Sequence, residues 1–253
     1  LDYFADAADV ENAFLEYTRR LPEEGTLIYC AADSGALSVV RRITEEREDL
    51  HLIAYLPEGS FVALPDSRRS EEVRIIAERS EPGRIHFALD GVEAAFALTV
   101  PGRHNILNAT AAMIAVAQAA VHDSGERWLS FLQQRRRAVA EGLFSFSGSM
   151  RRSEKVGEAA GVRIMDDYGH HPTEVEFTLR GLREFYEPKR LIVDFMSHTY
   201  TRTARLLDGF SEAFVDADHV VINEIYASAR EQFDGSIGGE DLAAAIRRGH
   251  PSV

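Results

Sequence analysis

With 253 residues, 45% hydrophobic and 27% charged, the chain has the make-up of a soluble globular protein, long enough for one large domain or two smaller ones. Its formal net charge of −13 argues against non-specific nucleic-acid binding while leaving room for a local basic pocket. A single cysteine, Cys30, excludes an intrachain disulfide framework and fits a reducing cytoplasm. The longest apolar run, 109–121, is broken by Thr110 and Gln118 and is too short and alanine-rich for membrane insertion; no signal-peptide pattern precedes it. Both ends, Leu1 and Pro251-Ser252-Val253, read as cut. Self-association is left open.

Val10, Phe14, Tyr17 and Leu21 are spaced for one face of a helix ended by Pro22 and Gly25. A strand is predicted over 26–31. Asp33-Ser34-Gly35 then opens a helix through Leu37, Val40 and Ile43, and 51–56 reads as the next strand. This β-α-β pattern implies parallel pairing. Runs at 73–77, 84–89 and 92–100, with Asp90-Gly91 as a two-residue hairpin signal, graft an antiparallel ribbon onto the parallel unit. Pro101-Gly102 then leads into an alanine-rich helix to about Val121, whose apolar circumference predicts burial. His104 and Asn108, four apart, share a face at its start with Asn105 beside them; capping and ligand binding are equally good readings of these three. A further helix over 128–139 places Arg135-Arg136-Arg137 in its last turns, and the Ser/Gly-rich stretch 144–150 marks a domain boundary, dividing 1–147 from 148–253.

The second half alternates: strand 162–165, helix 172–186, strand 190–195, helix 201–214, strand 219–225, helix 240–248. Such a rhythm predicts a doubly wound parallel sheet, with three strand-to-helix turns at one edge. The turns are Asp166-Asp167-Tyr168-Gly169-His170-His171-Pro172-Thr173, Ser197-His198-Thr199-Tyr200-Thr201-Arg202-Thr203, and Glu224 to Glu231. Taken alone, Asp-Asp is turn chemistry and His-Pro-Thr-Glu is a helix start. Convergence of three such turns, each more polar than a turn requires, favours a site. Arg151, Arg152, Arg202 and Arg230 near this edge suit phosphate or carboxylate. His170, His171 and His198 lack metal-ligand spacing, so no metal site is expected. Only Lys155 and Lys189 occur, neither in a phosphate-cradling loop.

Gly102-Arg103-His104-Asn105-Ile106-Leu107-Asn108-Ala109, Arg151-Arg152 with Glu154, the 166–174 stretch and His198-Thr199-Tyr200-Thr201-Arg202-Thr203 resemble, in order and spacing, successive signatures of the Mur ligases. The resemblance covers essentially the whole chain. The Asp-Tyr-Gly-His-His-Pro-Thr-Glu and His-Thr-Tyr-Thr-Arg-Thr forms are most similar to the branch that joins L-alanine to UDP-N-acetylmuramate. It implies an α/β architecture: the later part of a central ATPase domain, then most of a Rossmann-like C-terminal domain. The UDP-binding domain, the phosphate loop and the magnesium ligands would lie upstream of Leu1, leaving the fragment alone inactive.

The family reaction is ATP-driven amide formation through an acyl phosphate, catalysed by positioning and by cations rather than by a nucleophilic triad. By resemblance, His104, Asn105 and Asn108 lie near adenine, and Arg152 with Asp166 or Asp167 near the ribose and phosphates. His170, His198 and Arg202 would be catalytic, and Tyr168, His171, Thr199, Tyr200 and Arg230 would contact the muramoyl and amino-acid substrates. Departures are Ser153 in place of an aromatic, Met196-Ser197 in place of Gln-Pro, and a third turn one residue longer than usual; these bear on the placement of Arg152 and Arg230. Two alternatives remain: a ligase attaching a recycled tripeptide, which typically has Phe-Ala at Tyr168-Gly169, and a non-catalytic nucleotide- or sugar-binding module.

Overall fold

The computed structural model describes residues 4, 6–65, 69–227, 231, 235, 237–250, 252 and 253. It divides into two compact units, one drawn from 1–79, 85–98 and 103–146, the other from 80–84, 99–102 and 147–253. No helix among the described residues is long and apolar enough to cross a membrane.

In the first unit, α1 (Ala7–Arg19) starts where Asp6 Oδ1 accepts from the Asp9 amide, and α2 (Ser34–Glu46) where Asp33 Oδ1 accepts from the Ala36 amide at 2.7 Å. Each cap satisfies a donor that the helix leaves orphaned. Strands β1 (Thr26–Cys30), β2 (His51–Pro57), β3 (Ser70–Glu81), β4 (Arg84–Leu89) and β5 (Ala95–Leu98) form one sheet in that order. The α1–α2 layer packs Leu15, Leu37, Val40 and Ile43 onto Leu52, Ala54 and Leu56 of β2. Phe87 and Phe96 face each other across β4 and β5, both fully buried, with ring centroids 5.5 Å apart. Such a pair contributes about 0.5–1.5 kcal/mol beyond its area. Helices α3 (His104–Val121) and α4 (Trp128–Ser145) complete the unit.

Four expectations for this unit are corrected. Strand β3 runs parallel to β2 as well as leading into the ribbon, so the parallel part has three strands. The β4–β5 connection is longer than two residues: Leu89 O accepts from the Val92 amide, but Val92 turns into the core and Glu93 is held by Gln133. Helix α3 buries only a stripe, including Ile106, Thr110, Ile114 and Ala117, with Val116 65% exposed. Its alanines reflect helix propensity as much as burial. Because α4 extends to Ser145, the Arg135–Arg137 run lies mid-helix, and a dipole explanation no longer applies.

The second unit begins with β6 (Glu154–Ala159) and β7 (Val162–Asp166), an antiparallel hairpin turned by Ala160 and Gly161, both at positive φ. That geometry matches the twist of the flanking strands. It also overturns the expectation that the strand before the 166–174 turn belongs to the parallel sheet. The parallel pair is β8 (Ile192–Phe195) with β9 (His219–Ile222). Helix α5 (Pro172–Tyr186) occupies its predicted span. The helix expected over 201–214 is instead α6 (Tyr200–Arg205) and α7 (Leu207–Glu212), broken at Leu206. Phe210 and Phe214 thereby both reach Phe195, at 5.4 and 5.2 Å between centroids. With α8 (Gly239–Ile246), these elements cover one face of β8–β9 through Val175, Leu179, Phe210, Phe214, Leu242 and Ile246. Packing, not periodicity alone, decides the break.

Candidate functional site

At the start of α3, in the first unit, His104 and Asn108 are exposed and Asn105 is half-buried. Asn108 Nδ2 donates to Asn105 Oδ1 at 3.4 Å, so these two amides align each other along one helix edge. Arg103, just before them, is anchored by Glu78, its Nε donating at 3.1 Å. A polar edge with aligned amide groups can donate to and accept from a heterocycle.

The second unit holds two further groups. In the first, Arg151 and Ser153 both take positive φ, 57° and 47°, on either side of Arg152. Left-handed backbone at non-glycine residues costs about 1–2 kcal/mol each, so the turn must be held from outside. Glu154 Oε2 accepts from the Arg151 amide at 2.7 Å, Arg151 O accepts from the Tyr168 amide at 2.8 Å, and Asp167 Oδ2 accepts from the Ser153 amide at 2.7 Å. Asp167 Oδ1 meanwhile accepts from the Gly169 amide at 2.7 Å. Asp167 is therefore a strut tying two turns together, and the Asp166 carboxylate lies 3.5 Å from the Arg151 guanidinium. The Arg151 guanidinium lies over the Tyr168 ring at 4.8 Å, and Arg152 is exposed beside it.

The helix start that follows is internally satisfied. Glu174 Oε2 accepts from the amides of His170 (3.0 Å) and His171 (3.3 Å), and His171 Nδ1 accepts from the Thr173 amide at 3.3 Å. The donors at this helix start are thus taken by the chain's own side chains. Burial pushes the Glu174 carboxyl up, but the His170 and His171 amides and the charges of His170 and Arg152 outweigh it and hold it below the ordinary value. His170 Nδ1 faces two acceptors, Tyr168 O at 3.1 Å and Glu174 Oε2 at 3.6 Å, so in the neutral form of the ring the proton belongs on Nδ1 and the lone pair on Nε2. His171 shows the opposite tautomer, with its exposed Nε2 as the donor. The neighbouring imidazoles are thus one acceptor and one donor.

The second group joins the second and third turns. His198 and Tyr226 pair as a parallel bridge, with rings stacked 5.1 Å apart at 29°. Tyr226 O accepts from the Thr199 amide at 3.0 Å, and Ser197 O accepts from the Tyr226 amide at 2.9 Å. Glu231 caps the start of α6: Oε2 accepts from the Tyr200 amide at 2.8 Å and Oε1 from the Thr201 hydroxyl. Thr199 is 8% exposed with φ of 72° and ψ of 133°, and its hydroxyl has no hydrogen-bond partner among the described residues. Arg202 is half-buried on α6. The link from this group to the first is α5, whose Pro172 sits so close to Gly209 that a Cβ there would fall 3.0 Å from Pro172 Cγ.

Of the residues singled out from sequence, His198 is brought against the third turn, and Thr199, Tyr200 and Arg202 share its loop and short helix. Tyr168, His170, His171, Asp166, Asp167 and Arg152 form the other group. Arg230 lies outside the described residues. Ser153, Glu154, Glu231, Ser197 and Thr203 were not singled out as site residues, yet they hold the candidate loops. Only the acidic residue three after Arg151 and the third-turn glutamate hinted at this. No group of three or more His, Cys, Asp or Glu among the described residues could hold a metal ion.

Two family descriptions match the sequence: Mur ligase middle domain over residues 1–116, and Mur ligase, glutamate ligase domain, over residues 151–253. A UDP-N-acetylmuramate–L-alanine ligase of Treponema pallidum (strain Nichols) is 40% identical over 252 residues, covering 100% of this chain and 50% of that protein. The chain thus spans about half the length of the curated relatives it matches. Among solved structures, UDP-N-acetylmuramate-alanine ligase MurC from Thermotoga maritima superposes with a TM-score of 0.59 at 18% identity, covering 93% of this chain and 51% of that one. MurF from Acinetobacter baumannii gives 0.64 at 17%, covering 98% and 46%. At such identities these two likenesses establish the fold.

Proposed function

Because the chain belongs to the Mur ligase family, we propose that it is part of an ATP-dependent ligase joining L-alanine to the lactyl carboxylate of UDP-N-acetylmuramate in peptidoglycan precursor synthesis. The observation that carries this reading is 40% identity, along the whole chain, to a ligase named for that pair of substrates. In the proposed reaction a carboxylate oxygen attacks the γ-phosphorus of ATP and ADP leaves. The alanine nitrogen then attacks the acyl carbon, and phosphate departs with the carboxylate oxygen. The sequence contains no Gly-rich loop with a lysine, so we assign phosphate-loop chemistry to polypeptide outside these residues. This chain alone is then expected to show no alanine-dependent ATP hydrolysis. The described residues do not fit a magnesium site, and no step is assigned to a metal held by them.

The parts assigned to this chain are positioning and charge. Arg152, with Asp166 beside Arg151, would meet the nucleotide ribose and phosphates, while the Asn105–Asn108 edge, with His104, would meet adenine. His170 Nε2 is suited to accept the proton released as the amine attacks, its Nδ1–H being held by Tyr168 O. Arg202 supplies positive charge for the tetrahedral intermediate, and His198 on its Tyr226 platform lies at the same loop. Tyr168, His171, Thr199 and Tyr200 are assigned to substrate contact. Asp167 is assigned to scaffolding.

The test is amino-acid-dependent phosphate release by the full-length protein with UDP-N-acetylmuramate, ATP and magnesium. Release with L-alanine and little with a tripeptide supports the reading. Preference for the tripeptide would reassign the substrate, and release with neither would remove the activity.

A further inference from the structure

Three hydroxyl side chains are sealed inside the His198 loop: Ser197 (1% exposed), Thr203 (0%) and Thr199 (8%). Thr203 Oγ1 lies 2.7 Å from Thr199 O, a bond in which only the hydroxyl can donate. With its one proton committed there, Thr203 Oγ1 must accept from Ser197 Oγ, 2.6 Å away. The Thr203 amide donates to the same Thr199 carbonyl at 3.1 Å, and the Thr199 amide donates to Tyr226 O at 3.0 Å. A directed chain, Ser197 to Thr203 to Thr199, therefore ends on the one residue of the loop in left-handed backbone. A β-branched residue at φ of 72° is a pronounced outlier that persists only when its surroundings over-determine it.

From this geometry we infer that Ser197 and Thr203 are positioning residues, locking Thr199 in its strained conformation so that His198 is presented on Tyr226 and Arg202 on the first turn of α6. Simple satisfaction of buried polar atoms is a poorer account. An apolar pair of the same size would fill the space at little cost, and the chain need not then terminate on the strained carbonyl. Neither residue touches substrate in this account. Their importance for turnover rests on the functional reading above, whereas their effect on the loop does not.

The experiment pairs Thr203→Val, which keeps the shape and removes both hydrogen bonds, with Thr203→Ser, which restores them. On this chain, the ring protons of His198 should carry an upfield shift in the NMR spectrum from the stacked Tyr226 ring. Thr203→Val is expected to lose that shift and Thr203→Ser to keep it. In the full-length protein, Thr203→Val should raise the KM for L-alanine or lower kcat by on the order of tenfold or more, as displacement of a positioned group does, with Thr203→Ser recovering most of the loss. An unchanged His198 signal in Thr203→Val, with only a lower unfolding midpoint, would overturn the proposal; so would failure of Thr203→Ser to rescue. Should Thr203→Val not fold, Ser197→Ala decides: a diminished His198 shift supports the pair, an unchanged one refutes it. Absence of ligase activity in the wild-type protein would sink the functional reading, and the NMR comparison would still judge the hydroxyl pair.

Discussion

Asp167 accepts from the backbone of Ser153, fourteen residues earlier in the chain, at 2.7 Å, and together with the Tyr168 amide's bond to Arg151 O this ties the Arg151–Ser153 turn to the turn after β7. Its other oxygen takes the Gly169 amide. Asp166, the residue before it, makes a half-exposed ion pair with Arg151. Asp167→Asn should therefore destabilise the chain by about 1–3 kcal/mol, the cost of leaving a partly buried donor unpaired. Asp166→Asn should change it by less than about 1 kcal/mol, as exposed ion pairs do. Thermal unfolding of the two variants side by side checks the ranking, and equal losses would contradict it.

The start of α5 should respond to acid in a defined direction. The Glu174 carboxyl is held below its ordinary value of 4.5, so its contribution to the helix start is complete above that pH and fades as pH falls through the lower folded value. The amide signals of His170 and His171, which donate to it, should titrate together with a midpoint below 4.5. In Glu174→Gln that step should vanish. A midpoint at or above the ordinary value would mean that burial, not the two amides, dominates.

Thr199 offers a test of stored strain. Glycine adopts positive φ without a Cβ penalty, so Thr199→Gly should relieve more than it loses in unfolded-state entropy. A net gain on the order of 1 kcal/mol in stability is expected, together with lower ligase activity in the full-length protein. A clear loss of stability would show that the backbone at Thr199 is not under strain.

These cases also indicate what the sequence made legible. Helix α5 was readable to the residue because proline in its first turn and Glu174 as partner to the residue before it are local signals. Strand β6 was not: Glu154-Lys155-Val156-Gly157-Glu158-Ala159 is largely exposed and has no apolar alternation to read. The division of α6 from α7 at Leu206 carries no glycine or proline and follows from Phe210 and Phe214 packing on Phe195. In the candidate site, the residues singled out were legible as motifs, but their supports were not. Ser153 and Ser197 stood out only as departures from the family pattern, and each turns out to make a bond that positions its turn.

Arg202 is the cation assigned to the tetrahedral intermediate. In the full-length protein Arg202→Ala should lower the rate by one to several orders of magnitude, roughly 2–4 kcal/mol of lost charge stabilisation, and Arg202→Lys should recover only part of it because a point charge lacks the planar fork. An unchanged steady-state rate for Arg202→Ala would remove Arg202 from the site.

The central claim is that a carboxylate is activated by phosphoryl transfer before alanine attacks. The most direct test follows the oxygen: UDP-N-acetylmuramate labelled with oxygen-18 in its lactyl carboxylate is turned over by the full-length protein with ATP and L-alanine, and the released phosphate is analysed by mass. Label in the phosphate, appearing only when L-alanine is present and in step with amide formation, is the predicted result. Unlabelled phosphate released alongside the amide product would contradict the acyl-phosphate route and the roles assigned to these residues.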